Sequence, residues 1–228
     1  MSMQTEIRTI STGHPQISSA HHTVPMRSGF GAIGLMGSHM KFAPNEEIFG
    51  ENEPADYVYK VTTGAVRTYK ILSDGRRQIG GFYLPGDIFG LEAGKTHQFS
   101  AEAINHATVA VIRRSAVVAL AERDCDVARE LWSFTGRELH RVQEHMTLMI
   151  KSAQQRVAYF LLEMSERLAA TDAFKLPMSR QDIADYLGLT IETVSRTMTQ
   201  LASDHAIGLL SARQIVVRNR SALHQLNS

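Results

Sequence analysis

The chain is organised around the stretch Met178-Ser-Arg-Gln-Asp-Ile-Ala-Asp-Tyr-Leu-Gly-Leu-Thr-Ile-Glu-Thr-Val-Ser-Arg-Thr-Met-Thr-Gln-Leu201, which predicts two short helices joined by a tight corner. Ser179 can cap the first helix, and Asp182 follows three residues later, as in a capping box. Gly188 tolerates the positive φ angle that ends many helices, and Thr190 is a candidate N-cap for the second helix. The pattern is that of a helix-turn-helix.

The second predicted helix has two faces of different chemistry. Val194, Met198 and Leu201 recur at steps of four and three, so we expect them to be buried. Any helical hairpin packed in a core would give similar spacing. Short hydroxyls, one carboxylate and one guanidinium are, however, groups that read base edges in the DNA major groove. The candidate base-reading residues on this outer face are Ile191, Glu192, Ser195 and Arg196.

Length and composition limit the class of protein. The chain has 228 residues, of which 43% are hydrophobic, and this suits one large or two modest globular domains. A net charge of +1 does not indicate nucleic acid, so DNA affinity must come from local placement of cations. Cys125 is the only cysteine, which excludes an intrachain disulfide and fits a reducing cytosol. With no signal-peptide pattern and no membrane-length apolar run, we expect a cytoplasmic protein without membrane contact.

The N-terminal half divides into a polar tail and a β-rich segment. Residues 1–29 show no hydrophobic period and predict a mobile tail. Residues 30–115 contain short β-rich runs separated by turn signals, including those at 73–76 and 85–87. This spacing predicts an antiparallel β-roll or jelly roll, a fold that can enclose a ligand or only its own side chains.

Residues 116–150 are predicted to hold a hinge and a long dimerisation helix of about 25 residues. A seam that is apolar except for one threonine steps by 4, 4, 3, 4 and 3 through Leu131, Thr135, Leu139, Val142, Met146 and Met149. A seam that packs only against its own domain is the alternative. The length and the charged flanks favour pairing with a second copy of the chain.

Residues 151–228 are predicted to form the DNA-binding domain. A helix at 154–168 precedes a loop at 171–174, and a short hairpin around Arg213 follows the helix-turn-helix as a wing. The predicted fold class is therefore α+β, with an N-terminal β-roll, a long helix and a C-terminal winged helix-turn-helix.

This order of elements resembles the cyclic AMP receptor protein/FNR superfamily of bacterial transcription regulators over about residues 31–220. The motifs that carry the resemblance include Gly50-Glu-Asn-Glu-Pro-Ala-Asp-Tyr-Val-Tyr-Lys60, Gly64-Ala-Val-Arg67, Asp74-Gly-Arg-Arg-Gln-Ile79, Phe82-Tyr-Leu-Pro-Gly-Asp-Ile-Phe-Gly-Leu91 and Gly188-Leu-Thr-Ile-Glu-Thr-Val-Ser-Arg196. Together they look most like the FixK branch.

The resemblance implies a DNA half-site. In FNR-type regulators a Glu-x-x-Ser-Arg pattern reads TTGAT, and this chain has Glu192, Ser195 and Arg196 in that pattern. Ile191 stands where the cyclic AMP receptor protein has an arginine, and it can contact a thymine methyl group but cannot donate to guanine. The expected site therefore moves from TGTGA towards TTGAT. The residues expected to contact DNA phosphates are Ser179, Arg180, Gln181, Thr190, Thr193 and Arg213.

Two departures from the family bear on cofactors. No cysteine precedes Cys125, whereas FNR carries an N-terminal cysteine cluster for an iron–sulfur centre. Phe99 stands where the cyclic-nucleotide pocket has its phosphate-binding arginine, and burying a cyclic phosphate without that cation would be costly. We therefore expect neither cyclic nucleotide nor iron–sulfur cluster, and no other cofactor.

The main hypothesis is a non-enzymatic transcription regulator, mainly an activator, that binds double-stranded DNA as a homodimer and contacts RNA polymerase. Its expected target is a TTGAT-N4-ATCAA-type palindrome in oxygen-limited or nitrogen-fixation gene control. The alternative is an effector-gated regulator whose β-roll binds a small molecule or haem. The only plausible soft ligands for that alternative are His97, His106, His140 and His145. A metal-dependent barrel enzyme is disfavoured because the predicted strands carry no cluster of histidine and carboxylate.

Overall fold

The computed structural model describes residues 37–169 and 173–227, so the tail predicted at 1–29 lies outside the described residues. The N-terminal part is a β-roll of two four-stranded antiparallel sheets, with strand orders β1-β8-β3-β6 and β2-β7-β4-β5. Its strands are β1 Ser38–Phe42, β2 Glu47–Phe49, β3 Tyr57–Thr63, β4 Val66–Ile71, β5 Arg77–Tyr83, β6 Ile88–Phe89, β7 Ser100–Ala103 and β8 Ala107–Arg113.

The alternation of side chains along β3 and β8 gives the roll an inner and an outer apolar face. Val61 and Val109 are register partners whose side chains lie in the core of the roll. Val58 and Ile112, also partners, belong to a different cluster that includes Phe134 of the following helices. Because successive side chains of a strand point to opposite faces, one strand pair builds the roll and attaches it to the helices.

Three helices follow the roll: α1 Arg114–Ala121, α2 Cys125–Leu148 and α3 Ala153–Arg167. The Asp124 carboxylate caps α2, and Ser152 forms a capping box with Gln155 at the start of α3. The 24 residues of α2 confirm the prediction of a helix of about 25. At the corner between α2 and α3, the Arg156 guanidinium donates to the carbonyl oxygens of Met149, Lys151 and Leu187, and so ties together the ends of two helices.

The C-terminal part is a winged helix-turn-helix. Its elements are β9 Ala173–Lys175, α4 Arg180–Leu187, α5 Ile191–Ser203, β10 Ile207–Leu209, β11 Gln214–Val217 and α6 Arg220–Asn227. The predicted hairpin is confirmed as β10 and β11, which pair antiparallel. The loop predicted at 171–174 is wrong at Ala173 and Phe174, because these residues pair with Val216 and Ile215 as part of a third strand, and residues 171 and 172 lie outside the described residues. Helix α6 was not predicted.

The two parts of the molecule share one apolar core. Ile79 and Phe82 of β5 belong to the same buried cluster as Phe160 of α3 and Tyr186 of α4. The rings of Phe82 and Tyr186 lie 5.2 Å apart. This shared core fixes the winged helix-turn-helix against the roll, and the predicted α+β fold class is confirmed.

Candidate nucleic-acid interface

Local capping builds the corner of the helix-turn-helix. The Ser179 hydroxyl accepts from the Asp182 backbone N–H, and the Asp182 carboxylate accepts in return from the Ser179 N–H. Gly188 ends α4 with a φ of 62°, a left-handed conformation that favours glycine. The Thr190 hydroxyl then accepts from the Thr193 N–H at 3.2 Å and starts α5. Every local element of the predicted corner is present.

Helix α5 turns one face into the core and the other outward. Val194, Met198 and Leu201 are buried, as their spacing predicted. Of the four predicted base-reading residues, three are exposed near the start of α5, and Ser195 is half-buried beside them. The structure therefore brings Ile191, Glu192, Ser195 and Arg196 together on one outward face of the first turns of α5. A helix meets the major groove with such a face.

The carboxylate of Glu192 is held in its charged form. Its pKa lies below the usual value because it accepts hydrogen bonds from its own backbone N–H and from the Thr190 side chain, and Arg196 lowers it further. Glu192 is thus an acceptor at neutral pH. An acceptor of this kind suits the amino group of cytosine.

The start of α4 presents the predicted phosphate-contacting residues side by side. Ser179 is the N-cap, and the Gln181 amide donates to Asp185 at 2.6 Å. Arg180 is half-buried, and its Nε has no hydrogen-bond partner among residues 37–169 and 173–227. Free backbone N–H groups and the helix dipole at this end favour anions.

Two arginines in and after the wing have different partners. Arg213 is exposed at the tip, and its guanidinium donates to the Pro177 carbonyl at 3.1 Å. Arg220, at the start of α6, pairs with Glu166 and donates to Ser165 at 2.8 Å. Arg213 is therefore the one of these two arginines that lies at the tip of the wing, where the sequence predicted a phosphate contact.

Helix α2 carries an exposed apolar face. Leu139, Val142 and Met146 of the predicted seam are exposed on it, and Thr135 is exposed as well. Leu131 and Met149 lie instead against the cores of their own protomer. Two residues that the sequence reasoning missed extend the exposed face: Trp132, 81% exposed, and Ile150, 87% exposed, at the turn after α2. Trp132 lies three residues before Thr135 and Ile150 lies four residues after Met146, so they take the alternative step at each end of the seam in place of Leu131 and Met149.

A cavity of about 100 Å³ lies where the β-roll meets α2, between Phe89 of the roll and Phe134 of the helix. The carboxylates of Glu92 and Glu138 line it, and burial raises the pKa of Glu138. Phe99 lies in the wall and covers Gly80, whose backbone approaches the Phe99 ring so closely that a Cβ there would lie 2.9 Å from it. Sites for small organic ligands usually enclose roughly 300–1,000 Å³.

The four histidines predicted as possible effector ligands are dispersed. His97 is fully buried and stacks on Phe49, whereas His106 and His140 are exposed. His145 packs against α4, and burial lowers its pKa, followed by the charge of Arg156. Among the described residues, no group of three or more His, Cys, Asp or Glu side chains could hold a metal ion.

Comparisons with known proteins agree with this geometry. The family model described as a cyclic nucleotide-binding domain matches residues 39–124, and the one described as a Crp-like helix-turn-helix domain matches residues 155–226. The nitrogen fixation regulation protein FixK of Azorhizobium caulinodans is 47% identical over 202 residues, which cover 86% of this chain and 82% of that protein. The transcriptional activatory protein AadR of Rhodopseudomonas palustris is 44% identical, over 75% of this chain and 74% of that protein.

A solved structure gives the same assignment. The structure of FixK2 from Bradyrhizobium japonicum superposes with a TM-score of 0.81 at 54% identity, covering 84% of this chain and 98% of that one. A β-roll joined through long helices to a winged helix-turn-helix defines a class of DNA-binding transcription regulators. Within that class, the chain belongs to the FixK branch of the CRP/FNR family. Among the described residues, no helix is long and apolar enough to cross a membrane.

Proposed function

We propose that this activator works as a cytoplasmic homodimer whose two α5 helices read a TTGAT-N4-ATCAA palindrome. The observation that carries the proposal is the outward face of α5, where a guanidinium, a charged carboxylate, a hydroxyl and an apolar side chain stand together at the start of the helix. The N-terminal residues of a recognition helix are the ones that reach base edges.

Each of these side chains has a chemically matched base. Arg196 can donate two hydrogen bonds to O6 and N7 of the guanine in TTGAT. Glu192, charged at neutral pH, accepts from the amino group of a cytosine. Ile191 contacts a thymine methyl group, and Ser195 contributes a hydroxyl beside Arg196. A lone carboxylate this close to phosphates would be repelled unless a base compensated it, which favours base reading over general attraction.

Phosphate contacts would orient these readers. We assign them to the start of α4, the start of α5 and the wing, which carry Ser179, Arg180, Gln181, Thr190, Thr193 and Arg213. Arg180 is half-buried and its Nε is enclosed by the protein, so the proposed phosphate contact falls to the terminal nitrogens of its guanidinium. Contacts of this kind position the protein but carry no sequence information.

The exposed apolar face of α2 supports the homodimer. Exposed apolar residues are normal when they are scattered, but a contiguous row along one helix marks an interaction site. A two-fold axis along α2 would bury this row against its own copy. The two reading helices would then face half-sites about one DNA turn, or roughly 34 Å, apart.

The cavity between the β-roll and α2 supports activity without a bound effector. It is smaller than usual ligand sites, and two carboxylates line it where a cyclic phosphate would need a cation. An iron–sulfur cluster has no support either, because Cys125 is the only cysteine. The names of the FixK relatives support a role in nitrogen-fixation gene control. We propose further that this control operates under oxygen limitation and that the bound activator contacts RNA polymerase.

Fluorescence anisotropy on a TTGAT-N4-ATCAA duplex tests the proposal. We expect Arg196→Ala and Glu192→Ala each to weaken binding by about tenfold or more and to lose discrimination at the G·C pair, since a good base contact contributes about 1–3 kcal/mol. Gln200→Ala, on the exposed C-terminal half of the same helix, is the matched control and should bind normally. Unchanged specificity in both α5 variants would show that another surface reads the DNA.

A further inference from the structure

Buried charges connect the β-roll to the start of α4. The Arg67 guanidinium of β4 donates to Asp182 Oδ1 at 2.9 Å, and the Arg77 guanidinium of β5 donates to the same oxygen at 2.6 Å. Arg67 is 7% exposed and Asp182 is 3% exposed. The Arg67–Asp182 contact therefore lies inside the molecule, whereas the Arg77–Asp182 contact is partly buried. Both span a sequence separation of more than one hundred residues.

Asp182 divides its two carboxylate oxygens between two tasks. Oδ2 accepts from the backbone N–H and the hydroxyl of Ser179 and so completes the cap of α4. Oδ1 accepts from the two arginines of the roll. The cap of the helix that is proposed to contact DNA phosphates is thus bonded directly to the β-roll.

A second contact fixes the rotation of α4 about its axis. Arg77 Nε donates to Asp185 Oδ2 at 2.8 Å, one turn further along the helix. Asp185 Oδ1 accepts from Gln181 at 2.6 Å. Two carboxylates on one face of α4 thereby bind the same guanidinium. A single ion pair would leave α4 free to rotate about that one contact.

Arg67 itself is held in place by the roll. Arg67 Nε donates to Glu102 of β7 at 2.6 Å, and Arg67 Nη2 donates to Asn45 at 3.0 Å. Apolar contacts between β5 and Tyr186 supply adhesion without much direction. Buried, fully bonded charges contribute less to net stability than to a defined geometry, because every misplaced arrangement leaves a charge unpaired.

We infer that Arg67, Arg77, Asp182 and Asp185 form an interdomain clamp that sets the orientation of the winged helix-turn-helix and thereby the spacing between the two reading helices of the dimer. These are positioning residues that do not touch DNA. The clamp would orient the winged helix-turn-helix through contacts within the chain, without an effector bound in the cavity. The inference rests on the proposed DNA-binding function and adds to it the part of the molecule that keeps the reading helices in register.

The contact itself can be tested without DNA. Arg77→Asp, Asp185→Arg and the charge-swapped double variant are compared with the full-length protein by thermal unfolding. We expect each single variant to lower Tm, and the swap to recover at least about half of the loss, because coupled residues are not additive. Arg76→Asp is the matched control, since this exposed neighbour forms its one ion pair among the described residues with Asp74 in its own turn. If the loss of Tm in the double variant equals the sum of the two single losses, the two charges are not coupled and the clamp is refuted.

Positioning is tested on duplexes that carry the two half-sites with spacers of two to six base pairs, and on a duplex with one half-site. We expect the wild type to prefer one spacer by about tenfold or more, a typical coupling factor. Arg77→Asp should bind that spacer about tenfold more weakly, lose most of the preference and keep both single-half-site affinity and the G·C preference. The swap should restore the spacer profile, and Arg76→Asp should not alter it.

Other outcomes each exclude a specific idea. Tighter binding by Arg77→Asp would mean that the contact restrains an inactive arrangement, and an equal loss on all duplexes would reduce the four residues to a structural role; either result overturns the inference. A wild-type protein that binds no TTGAT duplex would refute the proposed function, whereas the thermal comparison would still decide whether the two charges are coupled.

Discussion

At the scale of single residues, two glycines with the same backbone angle have different surroundings. Gly64 lies between β3 and β4 with a φ of 81°, and Gly75 lies in the β4–β5 turn with a φ of 82°. A Cβ on Gly75 would meet nothing within 4 Å. A Cβ on Gly64 would lie 2.4 Å from the His106 carbonyl oxygen and 2.7 Å from Cα of Ala107. Backbone strain and steric exclusion can therefore be separated.

We predict that Gly75→Ala costs about 1–2 kcal/mol, the price of a left-handed L-residue. Gly64→Ala should cost about 1–3 kcal/mol more, because backbone atoms must move to admit the methyl group. Urea unfolding followed by circular dichroism measures both values. Equal unfolding midpoints for the two variants would show that the backbone around His106 yields freely.

A cation that contacts phosphate should act differently from one that reads a base. We predict that Arg180→Ala weakens binding to all duplexes by a similar factor and lowers the slope of log K against log salt by about 0.9, the value for one phosphate contact. Arg196→Ala should instead remove discrimination at the G·C pair. Anisotropy titrations at several salt concentrations, on specific and scrambled duplexes, separate the two behaviours. A changed base preference in Arg180→Ala would contradict this assignment.

At the scale of elements, the exposed face of α2 offers a direct test of dimer formation. Val142 of that face is 50% exposed, and Val118 of α1 is 48% exposed away from it. We predict that Val142→Asp converts the dimer to monomer at micromolar concentration, because a two-fold interface would bury the unpaired carboxylate twice. Sedimentation velocity measures the change. Val118→Asp should leave the dimer intact, and a dimer that persists in Val142→Asp would place the interface elsewhere.

The same elements show what the sequence could predict. The caps at Ser179 and Thr190 and the stop at Gly188 are local, so residue types a few positions apart were sufficient to place the corner. The period of α2 was also readable, but its exposed face was not. Steps of three and four do not decide which of two neighbouring positions lies on the exposed face. Which side of α2 the roll covers depends on tertiary packing. Leu131 was therefore predicted to lie on the exposed face of α2, but it packs against the core and Trp132 is exposed there instead.

Long-range contacts left no local pattern in the sequence. Arg67 and Asp182 are 115 residues apart, and neither has a sequence neighbour that indicates the other. The strand at Phe174 was missed for a related reason. Three residues are too few to show alternation, and this strand exists because β11 offers an edge to pair with. Capping chemistry therefore predicted the reading helix, whereas the contacts that orient it required the three-dimensional structure.

At the scale of the whole molecule, the β-roll acts as a scaffold. Its sheets pack on α2 through Val58 and Ile112 and on the winged helix-turn-helix through Phe82, so it contacts the proposed dimer helix and the reading domain together. The cavity between it and α2 is small, and its mostly apolar lining includes the carboxylates of Glu92 and Glu138. A roll of this kind suits the proposed effector-free activator, in which the scaffold would hold the two reading domains at fixed positions.

If the β-roll is a scaffold, cyclic nucleotides should change neither the Tm of the protein nor its affinity for DNA. A ligand that binds the native state at about 100 times its Kd stabilises that state by about 2.7 kcal/mol. In a chain of this size each kcal/mol raises Tm by about 2–4 °C. We predict that about 1 mM cyclic AMP leaves Tm unchanged within error and leaves affinity for the TTGAT palindrome unaltered, whereas a site with a Kd of about 10 µM would raise Tm by roughly 5–10 °C. Differential scanning calorimetry of the metal-free protein, with the palindrome as the positive control for a bound ligand, makes the comparison. A rise in Tm with cyclic AMP would show that the roll opens to admit a nucleotide despite Phe99. The effector-gated regulator would then be the preferred hypothesis.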